Sequence, residues 1–325
     1  MNGSLVTGAS GFIGRRLVAR LIEDDEWVRV LVLPGEDVRL GSEMLRADVT
    51  RPETLGGAMR GMRTVFHLAA VVGDWGPEEV FQAVNVDGTR NVLEAAARAG
   101  VERVVVVSSL AVYGWQLHTA VCDEERPRER GVGPYSRSKR AQEEVALELH
   151  RSGRVPVTIV RPGNVVGPGS AHWVDEPVRL LRAGRVLLVD GGDGDAAFTW
   201  VDNLVDLLVR AGRAPQAAGR IYNGNDGSGV TWRRYLGDLA RLAGARPPRR
   251  SVPAPAALAM AAAMEAAWRA TRRRTRPLMT REAVTLLASR HPVPIARAAS
   301  ELGFAPAIEY AQALDRIRDY LHSGR

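Results

Sequence analysis

Eight residues close to the start of the sequence, Thr-Gly-Ala-Ser-Gly-Phe-Ile-Gly, leave few folds open to this chain. They follow an apolar run at residues 4–7, which predicts a strand, and lead into residues 12–23, which predict a helix. Gly8 permits a tight turn, Gly11 lets the backbone approach a pyrophosphate, and Gly14 allows the helix to pack closely on the strand. This arrangement predicts a dinucleotide-binding site in which free N–H groups at the helix start face the phosphates.

Short runs of β-branched residues alternate with helical stretches through the first half of the chain. Such alternation is typical of βαβ units, and continuous apolar runs suit parallel strands that helices cover on both faces. We therefore expect an α/β protein with a Rossmann-type doubly wound parallel sheet and a smaller, mostly helical C-terminal region. Strands are predicted at residues 4–7, 28–33, 64–68, 104–108 and 157–161, and helices at residues 12–23, 78–98 and 134–152.

The regular alternation stops after Pro162, where clusters of Gly and Pro follow. We expect a dinucleotide-binding domain over residues 1–162 and a mainly substrate-binding region over residues 163–325. The segment 198–223 contains a further predicted helix and strand, and it is expected to return to the sheet.

Composition excludes several functional classes. The net charge is +7, but the basic residues are scattered among acidic ones without a stripe of stacking aromatics, so nucleic-acid binding is not expected. Cys122 is the only cysteine and the six histidines lack ligand spacing, so neither an internal disulfide nor a metal site is expected. The start of the chain lacks the parts of a signal peptide, and no apolar run has membrane-spanning length, so we expect a cytoplasmic protein.

A stretch rich in Ala and Met occupies residues 255–271 and is followed by three arginines. It contains Glu265 and Arg269 and is too short and too charged to span a membrane. We expect a buried amphipathic helix with a solvated basic end. A helix that lies on a membrane surface, or that covers an apolar substrate pocket, is the alternative.

Tyr135 and Lys139 lie at positions i and i+4 of a predicted helix and therefore share one face. A phenol titrates near pH ~10, too high for efficient acid–base catalysis at neutral pH. A cation held nearby favours the phenolate and lowers its pKa, and the same lysine can bond a nicotinamide ribose. The pair therefore predicts a proton-transfer site.

Ser108 and Ser109 follow a strand of four valines, at the carboxyl edge where doubly wound sheets bind ligands. A hydroxyl there can bond a substrate oxygen and stabilise the charge that develops on it. The alternative is a pair of serines that satisfy backbone groups at the strand end.

The GxxGxxG spacing and the Tyr-x-x-x-Lys pair together resemble the short-chain dehydrogenase/reductase superfamily. Gly-Phe-Ile-Gly at residues 11–14 resembles its extended branch, the NAD-dependent epimerase/dehydratase type. Within that branch, residues 73–76 and 225–232 are most similar to the 3β-hydroxysteroid dehydrogenase-like group. The resemblance covers nearly the whole chain, and it implies an NAD(P)-dependent oxidoreductase with Ser109, Tyr135 and Lys139 as catalytic residues.

The resemblance also implies where the cofactor binds. Asp48 would bond the adenine amino group, although an aspartate there also suits a helix N-terminal cap. His67 is expected to be a packed strand residue, and Asn85 to tie neighbouring strands together. The cofactor-binding residues expected from the resemblance are Gly8, Gly11, Phe12, Ile13, Gly14, Asp48, Val49, Leu68, Ala69, Ala70, Ser108, Tyr135, Lys139, Pro162, Gly163 and Val165.

The residue that would choose between NAD and NADP is missing from its usual position. A carboxylate at the end of the second strand bonds the ribose 2′-hydroxyl of NAD, whereas an arginine there suits the phosphate of NADP. Leu33 occupies this position and can do neither. Glu36, Asp37 or Arg15 could each substitute, so the sequence leaves NAD or NADP open.

The leading functional hypothesis is interconversion of a secondary alcohol and a ketone on a hydrophobic small molecule. Steroid-like compounds are one candidate class of substrate. The segments expected to form the pocket contain Val71, Val72, Trp75, Val165, Val166 and Trp173.

Two other functions stay open at the sequence level. One is a nucleotide-sugar epimerase or dehydratase with retained NAD, in which arginines would bind the diphosphate. The other is a non-catalytic dinucleotide-binding protein on the same fold. A homodimer is compatible with the sequence, which does not specify the oligomeric state. The arginines available to a diphosphate are Arg179, Arg182, Arg185 and Arg233.

Overall fold

The computed structural model describes residues 3–36, 43–127, 131–273 and 275–323. Its strands are β1 (Gly3–Thr7), β2 (Trp27–Val32), β3 (Glu43–Arg46), β4 (Met62–His67), β5 (Arg103–Val107), β6 (Val157–Pro162), β7 (Asn164–Val166), β8 (Leu188–Val189), β9 (Phe198–Trp200), β10 (Ile221–Gly224) and β11 (Ser251–Val252). Its α-helices are α1 (Phe12–Glu23), α2 (Glu78–Phe81), α3 (Gly88–Arg98), α4 (Gln116–Thr119), α5 (Pro134–Arg151), α6 (Glu176–Arg182), α7 (Val201–Arg213), α8 (Trp232–Leu242), α9 (Ala254–Ala270), α10 (Arg281–Leu287), α11 (Ala296–Leu302) and α12 (Tyr310–His322).

Seven parallel strands form the central sheet in the order β10-β6-β5-β4-β1-β2-β3. The chain runs outward from β1 in one direction and then returns to add β4 on its other side. The carboxyl ends of β1 and β4 therefore flank the point where strand order reverses, which is where such sheets bind ligands. The predicted Rossmann-type α/β fold is confirmed.

The part of the chain after β6 contributes to the sheet and then becomes mostly helical. β10 pairs with β6 in parallel, with Tyr222 opposite Val160. Short two-stranded pairs, β7 with β9 and β8 with β11, lie outside the main sheet. The domain boundary at residue 162 stays a prediction.

The predicted helix over residues 78–98 is interrupted. A π-helical segment, Gln82–Asp87, separates α2 from α3 and contains Asn85. Each π turn holds one residue more than an α turn, and such segments often occur at functional sites. Hydrophobic periodicity could not have predicted this segment, because one extra residue in a turn hardly changes the helical spacing of apolar residues.

The expectation of a buried amphipathic helix over residues 255–271 is wrong in one respect. Helix α9 buries only a narrow face, made of three alanines and Glu265. Its exposed face is not polar, as an amphipathic surface helix requires. Among the described residues, no helix is long and apolar enough to cross a membrane.

The contact between α1 and β1 depends on Gly14. A Cβ atom on Gly14 would lie 2.2 Å from the carbonyl oxygen of Gly8 and 2.8 Å from the Cα of Ala9. Both are backbone atoms, so the contact can be relieved only by moving the helix away from the turn. Leu17, Val18 and Leu21 of this helix are completely buried, which ties its position to the core.

We expect Gly14→Ala to lower the free energy of unfolding by about 1–3 kcal/mol, since it overpacks a site bounded by backbone. The matched control is Gly237→Ala in α8, where an added Cβ meets nothing within 4 Å. Alanine favours a helix over glycine, so the control is expected to be neutral or stabilising by up to about 1 kcal/mol. Urea unfolding of both variants checks the prediction, and equal effects would contradict it.

Candidate active site

The glycine turn is joined to the loop that follows β4. Gly8 adopts a φ of +68°, and the N–H of Gly11 donates to the Gly8 carbonyl oxygen at 3.1 Å. The Thr7 hydroxyl oxygen accepts from the N–H groups of Leu68 at 3.2 Å and Ala69 at 3.1 Å. Two of the predicted cofactor-binding segments therefore form one unit at the carboxyl edge of the sheet.

The start of α1 fits the pyrophosphate of a dinucleotide. Gly11 stands at the cap position without a side-chain hydrogen bond, and no acidic residue lies in the first turn. Gly11 is exposed, and Phe12 and Ile13 are partly exposed. The N-terminus of a helix carries a partial positive charge and unpaired N–H groups, so it favours an anion.

Asp48 lies in a turn and does not cap a helix. Its Oδ1 accepts from the Thr50 N–H at 2.9 Å and from the Thr50 hydroxyl at 2.8 Å. Arg51 holds the cap position of the short 3-10 helix that follows, Pro52–Thr54. The helix-cap alternative is therefore wrong, and the adenine contacts expected of Asp48 and its neighbour Val49 stay predictions.

Glu36 and Arg15 both lie against the glycine turn. The Glu36 Oε2 accepts from the Ser10 hydroxyl at 2.8 Å and from the Leu33 N–H at 3.0 Å. Arg15 Nε donates to the Ser10 carbonyl oxygen at 2.7 Å. Asp37, the third candidate selector, lies outside the described residues. A carboxylate thus stands at the end of β2 even though Leu33 holds the usual position.

The predicted catalytic residues lie together at the start of α5. Tyr135 is in the first turn of this helix, and the Lys139 Nζ lies 5.8 Å from the centre of its ring. The Ser109 side chain lies close enough to the Tyr135 phenol to lower the pKa of that phenol. Lys139 Nζ donates to the Val107 carbonyl oxygen at 2.8 Å and to the Gln142 Oε1 at 2.9 Å.

The two serines after β5 have different partners. Ser108 is 3% exposed, and its hydroxyl donates to Glu143 Oε1 at 2.6 Å. Ser109 is partly exposed and lies beside Tyr135, whose pKa it lowers. Its hydroxyl oxygen also accepts from the Ala111 N–H at 3.2 Å. Only Ser109 is therefore placed to act beside the phenol.

Burial dominates the protonation of Tyr135 and Lys139, the predicted acid–base pair. It raises the pKa of Tyr135 to about 12, against the lowering effect of the Ser109 side chain, and Glu282 raises this pKa further. Burial also lowers the pKa of Lys139 to about 7, although the Glu143 carboxylate opposes this change. The expected lowering of the Tyr135 pKa by Lys139 is not found, because loss of solvation sets the direction and Ser109, not Lys139, is the group that lowers this pKa. Tyr135 is protonated at neutral pH.

A buried ion pair, which the sequence analysis missed, fixes α5 against the sheet. Glu143 and Arg161 are 0% and 1% exposed, and the guanidinium bonds both carboxylate oxygens, at 2.9 and 2.8 Å. Arg161 Nη1 also donates to the Tyr113 hydroxyl oxygen at 2.8 Å. The available signal was the position of Glu143, one helical turn after Lys139, but a carboxylate at that spacing is ordinary on a helix surface.

A chain of buried polar groups connects Lys139 to the glycine turn. Gln142 Nε2 donates to the Thr89 hydroxyl oxygen at 2.8 Å, and this oxygen lies 2.8 Å from His67 Nε2. His67 Nδ1 in turn lies 2.8 Å from the Thr7 hydroxyl oxygen. Burial and the charge of Lys139 lower the pKa of His67 to about 3, so this histidine is neutral. Its placement in the core is that of a packed strand residue.

The resemblance implied that Asn85 ties two neighbouring strands together, and this is wrong. Its Oδ1 accepts from the Val71 N–H at 2.8 Å, and its Nδ2 donates to the Val71 carbonyl oxygen at 3.0 Å. The same Nδ2 lies 2.8 Å from the Ser138 hydroxyl oxygen. Asn85 therefore ties the loop after β4 to the helix that carries Tyr135. The π-helical turn places its side chain between these two elements.

Glu282 is a further buried group beside the site that the sequence analysis missed. It belongs to α10 and is 3% exposed, and its Oε1 accepts from the Ser136 N–H at 2.7 Å. Burial raises its pKa to about 7. Nothing in the sequence could have linked Glu282 to a helix that starts almost 150 residues earlier.

The segment after β6 packs tightly. A Cβ on Gly163 would lie 2.2 Å from the Ala197 carbonyl oxygen, so this glycine permits a close backbone approach. Val165 is 8% exposed and pairs with Thr199 in the β7–β9 pair. The cofactor contacts expected of Ala70, Pro162, Gly163 and Val165 stay predictions.

The family is shown by direct comparison. The NAD dependent epimerase/dehydratase family matches residues 4–223. The chain belongs to this family. Membership confirms the resemblance to extended short-chain dehydrogenases and the prediction of an oxidoreductase that acts on CH–OH groups.

Three family relatives illustrate its range. A 4-hydroxy-2-methyl-3-oxo-4-farnesyl-3,4-dihydroquinoline-1-oxide ketoreductase of Stigmatella aurantiaca is 31% identical over 97% of this chain and 95% of its own. A 3 beta-hydroxysteroid dehydrogenase/Delta 5→4-isomerase of Mycobacterium tuberculosis is 28% identical over 97% of this chain and 89% of its own. The solved structure of MoeE5 in complex with UDP-glucose and NAD is 26% identical, with a TM-score of 0.77 over 98% of each chain.

We expect Glu143→Gln to lower the free energy of unfolding by about 3–5 kcal/mol, because it leaves the Arg161 cation buried without its counter-charge. The matched control is Glu144→Gln, the next residue, whose carboxylate forms a surface pair with Arg140 at 3.2 Å. Exposed i, i+4 pairs contribute only about 0.3–0.5 kcal/mol. Chemical denaturation followed by circular dichroism compares the two, and a loss below about 1 kcal/mol in Glu143→Gln would refute the assignment.

Proposed function

We propose that the protein is an NAD(P)-dependent reductase that converts a ketone on a hydrophobic small molecule to a secondary alcohol. The observation that carries this proposal is the group formed by Ser109, Tyr135 and Lys139 at the carboxyl edge of the sheet. Their contacts join a proton donor, a second hydroxyl and an ammonium in one place.

In this proposal, Tyr135 donates a proton to the carbonyl oxygen of the substrate. Its pKa of about 12 keeps the phenol protonated at neutral pH, which suits the direction of ketone reduction. Ser109 donates a hydrogen bond to the same oxygen and stabilises the negative charge that develops there. Lys139 is held by Val107 and Gln142, and in its protonated form, which its pKa of about 7 leaves partly populated at neutral pH, it puts a cation beside the phenol as the proton leaves.

The nicotinamide dinucleotide, when bound, supplies the hydride. The start of α1 would hold its pyrophosphate, and Asp48 its adenine. Glu36 would accept from the ribose 2′-hydroxyl, because its carboxylate stands at the end of β2 and bonds Ser10 of the glycine turn. We therefore infer a preference for NAD over NADP.

Two lines of support favour a hydrophobic substrate. The names of the relatives describe a farnesylated ketone and a steroid, both largely apolar. Val72, in the loop that Asn85 ties to α5, leaves 55% of its surface exposed.

The nucleotide-sugar alternative has weaker support, since three of its four candidate arginines already have partners in the chain. Arg179 pairs with Glu176 at 2.6 Å, Arg233 pairs with Asp193 at 3.2 Å, and Arg182 Nε donates to a backbone carbonyl oxygen at 3.2 Å.

A cofactor-oxidation screen tests the proposed function. The purified protein is offered hydrophobic cyclic ketones, 2-alkyl-3-oxo acids and UDP-sugars, each with NADH and with NADPH. We expect turnover of one or more apolar ketones, with NADH preferred at least about tenfold, and no turnover of the UDP-sugars. Tyr135→Phe should keep cofactor binding but lose at least about a hundredfold in turnover. Activity on UDP-sugars alone would overturn the proposal.

The neighbouring serines provide a second, matched test. We expect Ser109→Ala to lower kcat by roughly ten- to a thousandfold, because it removes a hydrogen bond to the developing oxyanion. Ser108→Ala should leave kcat much less affected and instead lower thermal stability, because it removes a buried hydrogen bond to Glu143. Steady-state kinetics and melting temperatures distinguish the two. The reverse pattern would assign the catalytic hydroxyl to Ser108.

A further inference from the structure

Helix α9 exposes a surface that lacks polar side chains. Its buried residues recur every three or four positions along one side, and the opposite side is open to solvent. A surface helix of a water-soluble domain ordinarily carries charged or polar residues on its open side. Before Arg269, the exposed residues of α9 are Pro255, Ala256, Ala259, Met260, Ala263, Ala266 and Ala267.

The chain around α9 has an unusual balance of charge. Residues 246–281 contain nine arginines and a single acidic residue, Glu265. Glu265 is 4% exposed and bonds Arg281 and Arg269, at 3.0 and 3.3 Å, so its charge is already matched. The exposed side of this segment is therefore positive as well as apolar.

Arginines without acidic partners stand on both sides of the helix. Arg246, Arg249 and Arg250 precede it, and Arg272 and Arg273 follow it, all of them exposed. Within the described ranges none of the five forms an ion pair, and Arg273 instead lies over the ring of Trp268, 4.9 Å from its centre. These five side chains and the exposed face of α9 are called the α9 surface below.

We propose that the α9 surface binds an anionic phospholipid bilayer, with α9 lying in the plane of the headgroups. An apolar helix face flanked by unpaired arginines matches what such an interface offers, since acyl chains cover the apolar side chains and headgroup phosphates attract the guanidinium groups. Arginine is well suited to this contact because its planar guanidinium bonds phosphate oxygens in pairs.

A second copy of the chain fits this surface less well. A twofold contact places the same patch on both subunits. Two α9 helices packed antiparallel would bring Arg249 and Arg250 of one subunit toward Arg272 and Arg273 of the other. Repulsion among these like charges would oppose the contact, whereas an anionic bilayer gains from every one of them.

The α9 surface is connected to the catalytic helix through named contacts. Arg269 lies over the ring of Trp75 at 5.1 Å, and Asp74 beside it bonds Arg276 at 2.6 Å. Glu265 accepts from the Arg281 N–H at 2.8 Å at the start of α10, which also holds Glu282 against α5. A bilayer at this surface would lie close to the loop after β4. This would suit an apolar substrate, but binding to lipid does not depend on the proposed function.

Vesicle sedimentation of the full chain tests the proposal. Large vesicles of phosphatidylcholine alone are compared with vesicles that also contain phosphatidylglycerol. We expect at least about tenfold tighter binding to the anionic vesicles, with most of it lost when salt screens the charges at about 0.5 M. Equal binding to both vesicle types, or none to either, would overturn the proposal.

Two variants and a control locate the contact. Met260→Glu with Ala263→Glu places charge on the apolar face, and Arg249→Glu with Arg272→Glu reverses charge at both ends. Each pair should abolish most of the binding while the melting temperature stays close to that of the wild type. The matched control, Arg151→Glu with Arg154→Glu, changes two exposed arginines at the far end of α5 and should bind normally.

Some outcomes assign the surface differently. Loss of binding in the control to the same extent would indicate attraction by net charge alone and would overturn the assignment to α9. Light scattering provides a further decision. If the wild type is a dimer that Met260→Glu with Ala263→Glu converts to a monomer, and neither binds vesicles, the surface is a contact between subunits and the proposal fails.

Discussion

The buried ion pair between Glu143 and Arg161 is the interaction on which the arrangement of the site depends. It joins α5 to β6 where both side chains are buried, so a charge that lost its partner would be costly. The same carboxylate accepts from Ser108 at the end of β5, so one group orients two strand ends and a helix. Tyr135 and Lys139 precede Glu143 on that helix, and their positions follow from its anchoring.

A second constraint connects chemistry to cofactor binding. A buried series of hydrogen bonds runs from Lys139 through Gln142, Thr89 and His67 to Thr7. The Thr7 hydroxyl oxygen also accepts hydrogen bonds from N–H groups of the loop after β4. Each member depends on its neighbours because an unpaired polar group in the core is unfavourable. An unbroken series of buried hydrogen bonds therefore joins the glycine turn to the amino group of Lys139. His67 takes part in this series of hydrogen bonds as a neutral imidazole, because burial and the charge of Lys139 both disfavour its protonated form.

The C-terminal third contributes to the site from a distance. Glu282 bonds the first turn of α5, while Asp74 and Trp75, in the loop after β4, contact Arg276 and Arg269. The apolar helix α9 is thereby linked to α5 indirectly, through the loop after β4 and through α10. The exposed side of α9 therefore lies on the part of the surface that adjoins the loop after β4, which is expected to line the proposed substrate site.

The sequence by itself determined the architecture and predicted which side chains form the candidate site. Glycine spacing, strand and helix periodicity, and the Tyr135–Lys139 pair are local patterns, so they predicted the doubly wound sheet, which is confirmed, and a dinucleotide site and an acid–base pair, which stay predictions. The sequence also predicted a catalytic hydroxyl at Ser109, through a motif that lies within six residues of it. The position of Glu36 against Ser10 could not be predicted, because it depends on the path of the loop after β2.

Only the tertiary structure decided the partners of buried groups. Glu143, Arg161 and Glu282 have no pattern around them that reports burial, yet each takes its role from residues distant in the chain. His67 was expected to be a packed strand residue, but its partners Thr7 and Thr89 were not predicted. The direction of the Tyr135 pKa was misjudged for the same reason, since a pair one helical turn apart shows the neighbouring charge but not the loss of solvent around it. The sequence likewise indicated a helix at α9 but not which side it would turn to solvent, because that choice rests on packing against α10 and β8, which are distant in the chain or follow the helix.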